Sequence, residues 1–169
     1  MSFYTVFPVV VAGCAMLMDF QRARVDNGWL GFCLLISFVT QFMGNNRINP
    51  VSWILGFLTP LLILGWLFIF RMLGPGDIKL FCVIGTILGP DKILACIAIS
   101  ILIGAVISAS ILISNGIICQ RFLYLFRYIT KFLETGERKP YYKSGMPLEN
   151  FHFTVPIFLS ALLYAGGVY

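Results

Sequence analysis

Long apolar segments alternate with short polar ones along almost the whole chain. A helix needs about 20 residues to cross the hydrocarbon core of a bilayer, and fewer where the helix is short or the membrane is thinned. Six stretches qualify, of which the fourth is the shortest, so the pattern predicts an all-α integral membrane protein with six transmembrane helices. The stretches are Phe3–Met18, Trp29–Met43, Val51–Phe70, Ile78–Gly89, Ile93–Ile118 and Phe151–Tyr169.

The composition leads to the same class of protein. Hydrophobic residues make up 59% of the 169 residues and charged residues 11%, whereas a soluble domain has about 25% charged residues. We therefore expect a single transmembrane domain over residues 1–169, with one sizeable cytoplasmic loop at about 119–150. The first part of that loop is amphipathic and is expected to lie along the membrane interface.

The positions of Lys and Arg favour six crossings with both termini outside. Cytoplasmic loops of membrane proteins carry the excess of positive charge. With six crossings, only Arg47 and Lys92 lie outside. If Ile78–Gly89 instead enters the membrane and returns to the same side, five of the Lys and Arg residues lie inside and seven lie outside. The ten residues placed inside by six crossings are Arg22, Arg24, Arg71, Lys79, Arg121, Arg127, Lys131, Arg138, Lys139 and Lys143.

Other classes of site find little support. The net charge of +5 is explained by orientation and by attraction to anionic lipid, so no nucleic-acid partner is expected. The cysteines form no Cys-x-x-Cys pair and are interpreted as small buried hydrophobic residues. With a single histidine, His152, interpreted as an interface anchor, we expect no metal and no cofactor. The five cysteines are Cys14, Cys33, Cys82, Cys96 and Cys119.

Two of the seven acidic residues, Asp19 and Asp77, stand where long apolar segments meet water. A carboxylate there is costly and marks a candidate functional site. Two complete crossings separate them, so both are expected at the cytoplasmic face. Gly74, Pro75 and Gly76 interrupt the preceding helix and let the backbone approach closely. Asp77 then begins the next helix.

A close pair of carboxyls can share one proton. The ionised member takes a proton from water while the neutral member donates to a carbonyl oxygen, as in aspartic proteases. Simpler roles remain open: Asp77 as a helix cap, and Asp19 as an ion-pair partner of Arg22 or Arg24. Asp26 is a rival to Asp19, because it would share its face if the helix continued.

The residues around the two aspartates resemble the type IV prepilin peptidases, which are membrane aspartic peptidases of the GxGD class, in the short form without the N-methyltransferase portion. Residues 74–80, Gly-Pro-Gly-Asp-Ile-Lys-Leu, fit the pattern Gly-x-Gly-Asp-x-Lys-Leu. Residues 19–27 fit a pattern of an aspartate, basic residues and Ile-Pro-Asn, with Asp26 in place of the proline. Residues 153–158 are similar to the proline-containing closing segment of these enzymes.

The resemblance implies a GxGD aspartic peptidase-like bundle in which Asp19 and Asp77 are catalytic, supported by Gly74, Gly76 and Lys79. It implies an intramembrane endopeptidase of the cell membrane that removes the basic leader from type IV prepilin-like precursors at the cytoplasmic face. Lys79 on its own is expected to snorkel to the headgroups and to bias the charge of Asp77. The precursor, the filament type and the oligomeric state stay open.

A competing hypothesis is a non-catalytic membrane assembly or transport subunit that uses Asp77 as a proton or ion site. Transport would require a polar path across the bilayer. Polar residues within the apolar stretches are few, and no acid lies in the middle of one. Those polar residues include Ser37, Thr40, Ser52, Thr59, Thr86, Ser100, Ser108 and Ser110.

Overall fold

A computed structural model describes residues 3–22, 25–43, 50–69, 73–114 and 152–169, together with the single positions 123, 127 and 130. All the regular structure in these ranges is helical. The amphipathic loop predicted at about 119–150 lies outside the described residues, apart from those three helical positions. The helices are α1 (Phe3–Arg22), α2 (Asn27–Met43), α3 (Pro50–Ile69), α4 (Pro75–Ser114) and α5 (Thr154–Ala165).

The helix ends follow local chemistry rather than hydropathy alone. α1 continues past the apolar stretch to Arg22, whose charge is favourable near the negative end of the helix dipole. α3 and α4 each begin at a proline, which suits the first helical position because its missing N–H would have no partner there. α5 is shorter than predicted, since the chain leaves the helix at Gly166.

The fourth and fifth apolar stretches form one helix that is interrupted at Gly89. Gly89 has φ 79° and ψ 173°, a conformation open almost only to glycine, and Pro90 follows it. The Phe153 ring lies 6.4 Å from the Phe81 ring between centroids, and 3.0 Å from a Cβ placed on Gly104. In a straight helix Phe81 and Gly104 would be about 34 Å apart. The two halves of α4 therefore fold back on each other as a hairpin.

Close backbone packing joins α3 to this hairpin. A Cβ on Gly56 of α3 would overlap the carbonyl oxygen of Gly85, and it would lie 3.3 Å from the Cα of Gly89. Gly85 and Gly89, four residues apart, thus permit close helix packing, and Gly56 is their partner in α3. The Ser52 hydroxyl oxygen, one turn before Gly56 in α3, lies 3.1 Å from a Cβ placed on Gly89, one turn after Gly85 in α4. α3 therefore runs antiparallel to the first half of α4.

A polar network ties α2 to the same hairpin. Ser37 and Thr86 share a buried hydrogen bond of 2.6 Å between their hydroxyl oxygens. The Trp53 indole N–H donates to the Ser37 hydroxyl at 3.1 Å, and the Gln41 amide donates to the Thr86 carbonyl at 3.2 Å. Buried hydroxyl and amide groups are costly unless they are paired in this way. The network fixes the position of α2 against α3 and α4.

The last helix lies between α1 and the second half of α4. The Ser160 hydroxyl donates to the Cys96 carbonyl at 3.1 Å, while the Phe158 ring lies 3.2 Å from a Cβ placed on Gly13. Pro156, Ile157 and Ala161 are buried at this junction. These contacts bring the beginning of α5 to the same end of the bundle as Asp19 and Asp77, which we call the aspartate end.

The surface of the bundle is that of a membrane protein. Within the described ranges, three helical segments are long and apolar enough to cross a bilayer: Phe3–Arg22, Pro50–Ile69 and Pro75–Ile111. α2 and α5 are apolar but shorter. Large apolar side chains face outward, as Leu62 and Trp66 do with 71% and 68% exposure. A surface of this kind requires apolar surroundings.

Candidate active site

Asp19 lies in the last turn of α1 and is held by two side chains from the start of α5. The Thr154 hydroxyl donates to Asp19 Oδ2 at 2.8 Å. His152 Nδ1 lies 2.9 Å from the same oxygen. Both partners of this ion pair are half-buried, with side-chain exposures of 22% for His152 and 16% for Asp19. Both contacts end on the same carboxylate oxygen, so the start of α5 holds the Asp19 side chain in place.

The simpler role considered for Asp19 was an ion pair with Arg22 or Arg24. Arg22 is exposed, and in the part of the chain that the structure describes Asp19 makes its ion pair with His152 instead. Arg24 lies outside the described residues. His152 is a site residue that sequence reasoning did not assign. Its position next to a predicted helix start was the one available signal, because 133 residues separate it from Asp19.

Asp77 is the third residue of α4 and folds back towards Gly74. The Gly74 backbone N–H is a hydrogen-bond partner of its carboxylate, and a Cβ on Gly74 would lie 3.1 Å from Asp77 Oδ2. A carboxylate at this position bonding to the N-cap N–H is half of a capping box. The capping role considered for Asp77 is therefore present, and glycine at 74 leaves the carboxylate uncrowded.

Asp19 and Asp77 are close enough for their charges to interact. α1 packs directly on α4, and both carboxyls lie at the aspartate end. Like charges at close range disfavour double ionisation, so such a pair tends to retain one proton. The arrangement can supply a base and an acid from two carboxyls at the same end of the bundle, as a two-carboxyl hydrolytic site requires.

The segments that carry the two aspartates also contact each other through their neighbours. Val25 is buried and lies 3.8 Å from a Cβ placed on Gly76. Lys79 Nζ donates to Asn27 Oδ1 at 2.9 Å, between exposed side chains. Lys79 thus holds the start of α2 against the start of α4. Gly76 provides the flat surface on which Val25 packs.

Asp26 serves as the N-cap of α2 and not as a second base. Its carboxylate accepts a hydrogen bond from the Gly28 N–H at 3.3 Å, and its carbonyl accepts the first helical bond, from Leu30. α1 ends at Arg22, so Asp26 does not continue the face of Asp19. The rival assignment fails because the helix stops, and capping explains an aspartate here.

The cysteines behave as packing residues where they are described. Cys33, Cys82 and Cys96 are 1%, 3% and 0% exposed, as expected for small buried hydrophobic groups. Cys14 is half-buried, and Cys119 lies outside the described ranges. Among described residues, no group of three or more His, Cys, Asp or Glu could hold a metal ion.

Residues 6–109 match the sequence model of the type IV leader peptidase family. The matched range contains Asp19, Asp77 and the glycines around Asp77, and it ends before α5. His152 and Thr154 therefore lie beyond it. No match was found among curated proteins or among solved structures.

Proposed function

Because the chain belongs to the type IV leader peptidase family, we propose that it is an intramembrane aspartic endopeptidase. It removes the basic leader peptide from type IV prepilin-like precursors at the cytoplasmic face of the cell membrane. The observation that carries this proposal is that Asp19 and Asp77 lie at the same end of an apolar bundle, on the helices α1 and α4 that pack against each other. An isolated carboxylate at this depth would be costly without a role.

The hydrogen bonds suggest how the two aspartates divide the chemistry. Asp19 has the two side-chain donors and is the ionised member, so it takes a proton from water as the water oxygen attacks the scissile carbonyl carbon. Asp77 holds the shared proton and donates it to the carbonyl oxygen. When the tetrahedral intermediate collapses, Asp19 returns its proton to the leaving amine and Asp77 recovers its own.

We propose six membrane crossings, with both termini outside. The hairpin at Gly89 supports this, because it returns the chain to the aspartate end within α4. The short length of the first half of α4, 14 residues from Pro75 to Leu88 or about 21 Å, would draw Asp77 towards the hydrocarbon. A precursor helix in the same bilayer would present its leader junction at that depth.

The proposed orientation in the membrane also indicates which partners the surfaces of the protein contact. The basic residues predicted on the cytoplasmic side are suited to anionic lipid, and the outward apolar side chains are suited to acyl chains. Pilin-like precursors are the proposed substrates. Neither nucleic acid nor a metal takes part in the proposed reaction.

The structure gives less support to an ion-transport role for Asp77. The next polar group along α4 that joins a network is Thr86. Five consecutive buried residues without a charged side chain lie between them, and they offer no polar path. These are Leu80, Phe81, Cys82, Val83 and Ile84.

Cleavage by the reconstituted protein tests the proposal directly. Purified protein in lipid vesicles is mixed with a pilin-like precursor, and loss of the leader is followed by mass spectrometry. We expect Asp19→Asn and Asp77→Asn each to lower cleavage by about 100-fold or more, because each removes a general acid or base. Asp26→Asn is the matched control, since it neutralises a nearby acid but keeps its capping oxygen.

The outcomes separate the competing hypotheses. Cleavage that is lost in both variants and kept in Asp26→Asn supports the dyad. Cleavage that survives both substitutions overturns the aspartic mechanism. If the wild type cleaves none of several precursors, the non-catalytic subunit becomes the better explanation.

A further inference from the structure

The start of α5 contributes two donors to a carboxylate that belongs to the other end of the sequence. Thr154 and His152 both bind Asp19 Oδ2. Both of these bonds end on Oδ2 rather than on Oδ1. Phe20, the next residue of α1, places its ring 5.0 Å from the imidazole ring between centroids. The imidazole is thus confined between its hydrogen bond and an aromatic neighbour.

We propose that His152 is a positioning residue for Asp19, with Thr154 as the second donor; this rests on the proposed function. A carboxylate only accepts hydrogen bonds, so Nδ1 carries the proton in the bond to Asp19. Two donations to Oδ2 fix the carboxylate plane and direct Oδ1 towards the water that Asp19 deprotonates. The role is confined to orientation and charge, and His152 itself takes no proton from the substrate.

The contacts of α5 argue against a purely structural role for this pair. α5 is already held by the buried residues Pro156, Ile157 and Ala161 and by the bond from Ser160 to Cys96. When the imidazole is removed, the Asp19 carboxylate also keeps the hydrogen bond from the Thr154 hydroxyl and is not left without a partner. Loss of the imidazole should therefore leave the bundle folded while it releases the reactive carboxylate.

The expected effect appears in kcat rather than in KM. A hydrogen bond to a charged group corresponds to about 10- to 100-fold in rate when it is lost, so His152→Ala should lower kcat by that factor. KM should change little, because His152 is not proposed to bind the precursor. His152→Asn should restore most of kcat, since the Asn amide N–H can take the place of Nδ1–H.

Thr154 provides an independent pair of variants. Thr154→Val keeps the shape and removes the donor, and we expect it to lower kcat, whereas Thr154→Ser keeps the hydroxyl and should act like wild type. Val155→Ala is the matched control at the same helix end, and it should leave kcat unchanged. The thermal unfolding midpoint of every variant in detergent shows whether each remains folded.

The experiment is a steady-state cleavage assay on the reconstituted full chain and these variants, alongside Asp19→Asn. A loss of kcat in His152→Ala, with rescue in His152→Asn and an unchanged midpoint, supports the positioning role. Wild-type kcat in a folded His152→Ala overturns it while the dyad stands. A lowered midpoint with normal kcat per folded molecule also overturns it, in favour of a structural contact. Cleavage that persists in Asp19→Asn overturns the proposed function and this role with it.

Discussion

Three carboxylates near the aspartate end differ in their partners, and the differences account for their separate roles. Asp19 accepts two side-chain hydrogen bonds from α5. The Asp77 carboxylate interacts with the Gly74 backbone N–H and with the charge of Asp19. Asp26 is exposed, and its carboxylate accepts a hydrogen bond from the Gly28 N–H. Because the residue type is the same in each case, the environment alone distinguishes the cap from the two residues that we propose as base and acid.

The capping role of Asp26 predicts a change in stability without a change in chemistry. Asp26→Ala should lower the free energy of unfolding by about 1 kcal/mol, because α2 loses the acceptor for its first N–H groups. Asp26→Asn should be close to wild type, and both variants should keep most of the cleavage activity. Thermal unfolding in detergent and the cleavage assay measure the two properties. A loss of activity in Asp26→Asn would show that the charge itself is needed.

At the scale of elements, the contact between α3 and α4 is made by backbone rather than by side chains. Gly56 and Gly85 face each other with no room for a Cβ on either. In lipid, the hydrophobic effect contributes little to helix association. Association depends instead on close van der Waals packing, which small residues allow. This contact sets the distance between α3 and the helix that carries Asp77.

A methyl group placed in that contact should therefore destabilise the bundle. Gly56→Ala overlaps the Gly85 carbonyl, and we expect a loss of about 1–3 kcal/mol in the free energy of unfolding, as for other overpacked sites. Gly65→Ala is the matched control in the same helix, since a Cβ there meets nothing within 4 Å. It should be neutral or slightly stabilising because alanine favours the helix.

Denaturation of both variants in the same detergent compares them directly. Equal midpoints for Gly56→Ala and Gly65→Ala would contradict the close contact. A lower midpoint for Gly56→Ala together with reduced cleavage would show that the α3–α4 distance also matters for the position of Asp77.

Over the whole molecule, the hairpin at Gly89 brings the two halves of α4 back to the same end of the bundle. Gln21 and Asp91 are exposed at opposite ends of the bundle, and neither contributes to the distribution of positive charge. Six crossings place position 21 inside and position 91 outside. Substitution at these two positions therefore leaves the Lys and Arg residues that orient the chain unchanged, and the accessibility of the positions reports the topology.

Labelling with a membrane-impermeant thiol reagent tests that topology. We expect Asp91→Cys to react in intact cells, and Gln21→Cys to react only after the membrane is opened. The parent chain, with its native cysteines, is the control for background labelling. Reaction of both positions from the same side would contradict six crossings, since the chain would then cross an even number of times between them.

The sequence by itself determined the class of the protein, most helix positions and the candidate aspartates. These follow from short-range physics: apolar runs form helices in lipid, and an acidic group at their boundary is too costly to be incidental. Residue order alone was sufficient for each of these inferences.

Only the tertiary structure decided what surrounds the aspartates. The end of α1 at Arg22 made Asp26 a cap, Asn27 became the partner of Lys79, and His152 was brought to Asp19 from 133 residues away. Hydropathy cannot reveal such contacts, because a hydrogen bond depends on the positions of two atoms in space. Those positions were set by the packing of α1 and α5 against the hairpin of α4.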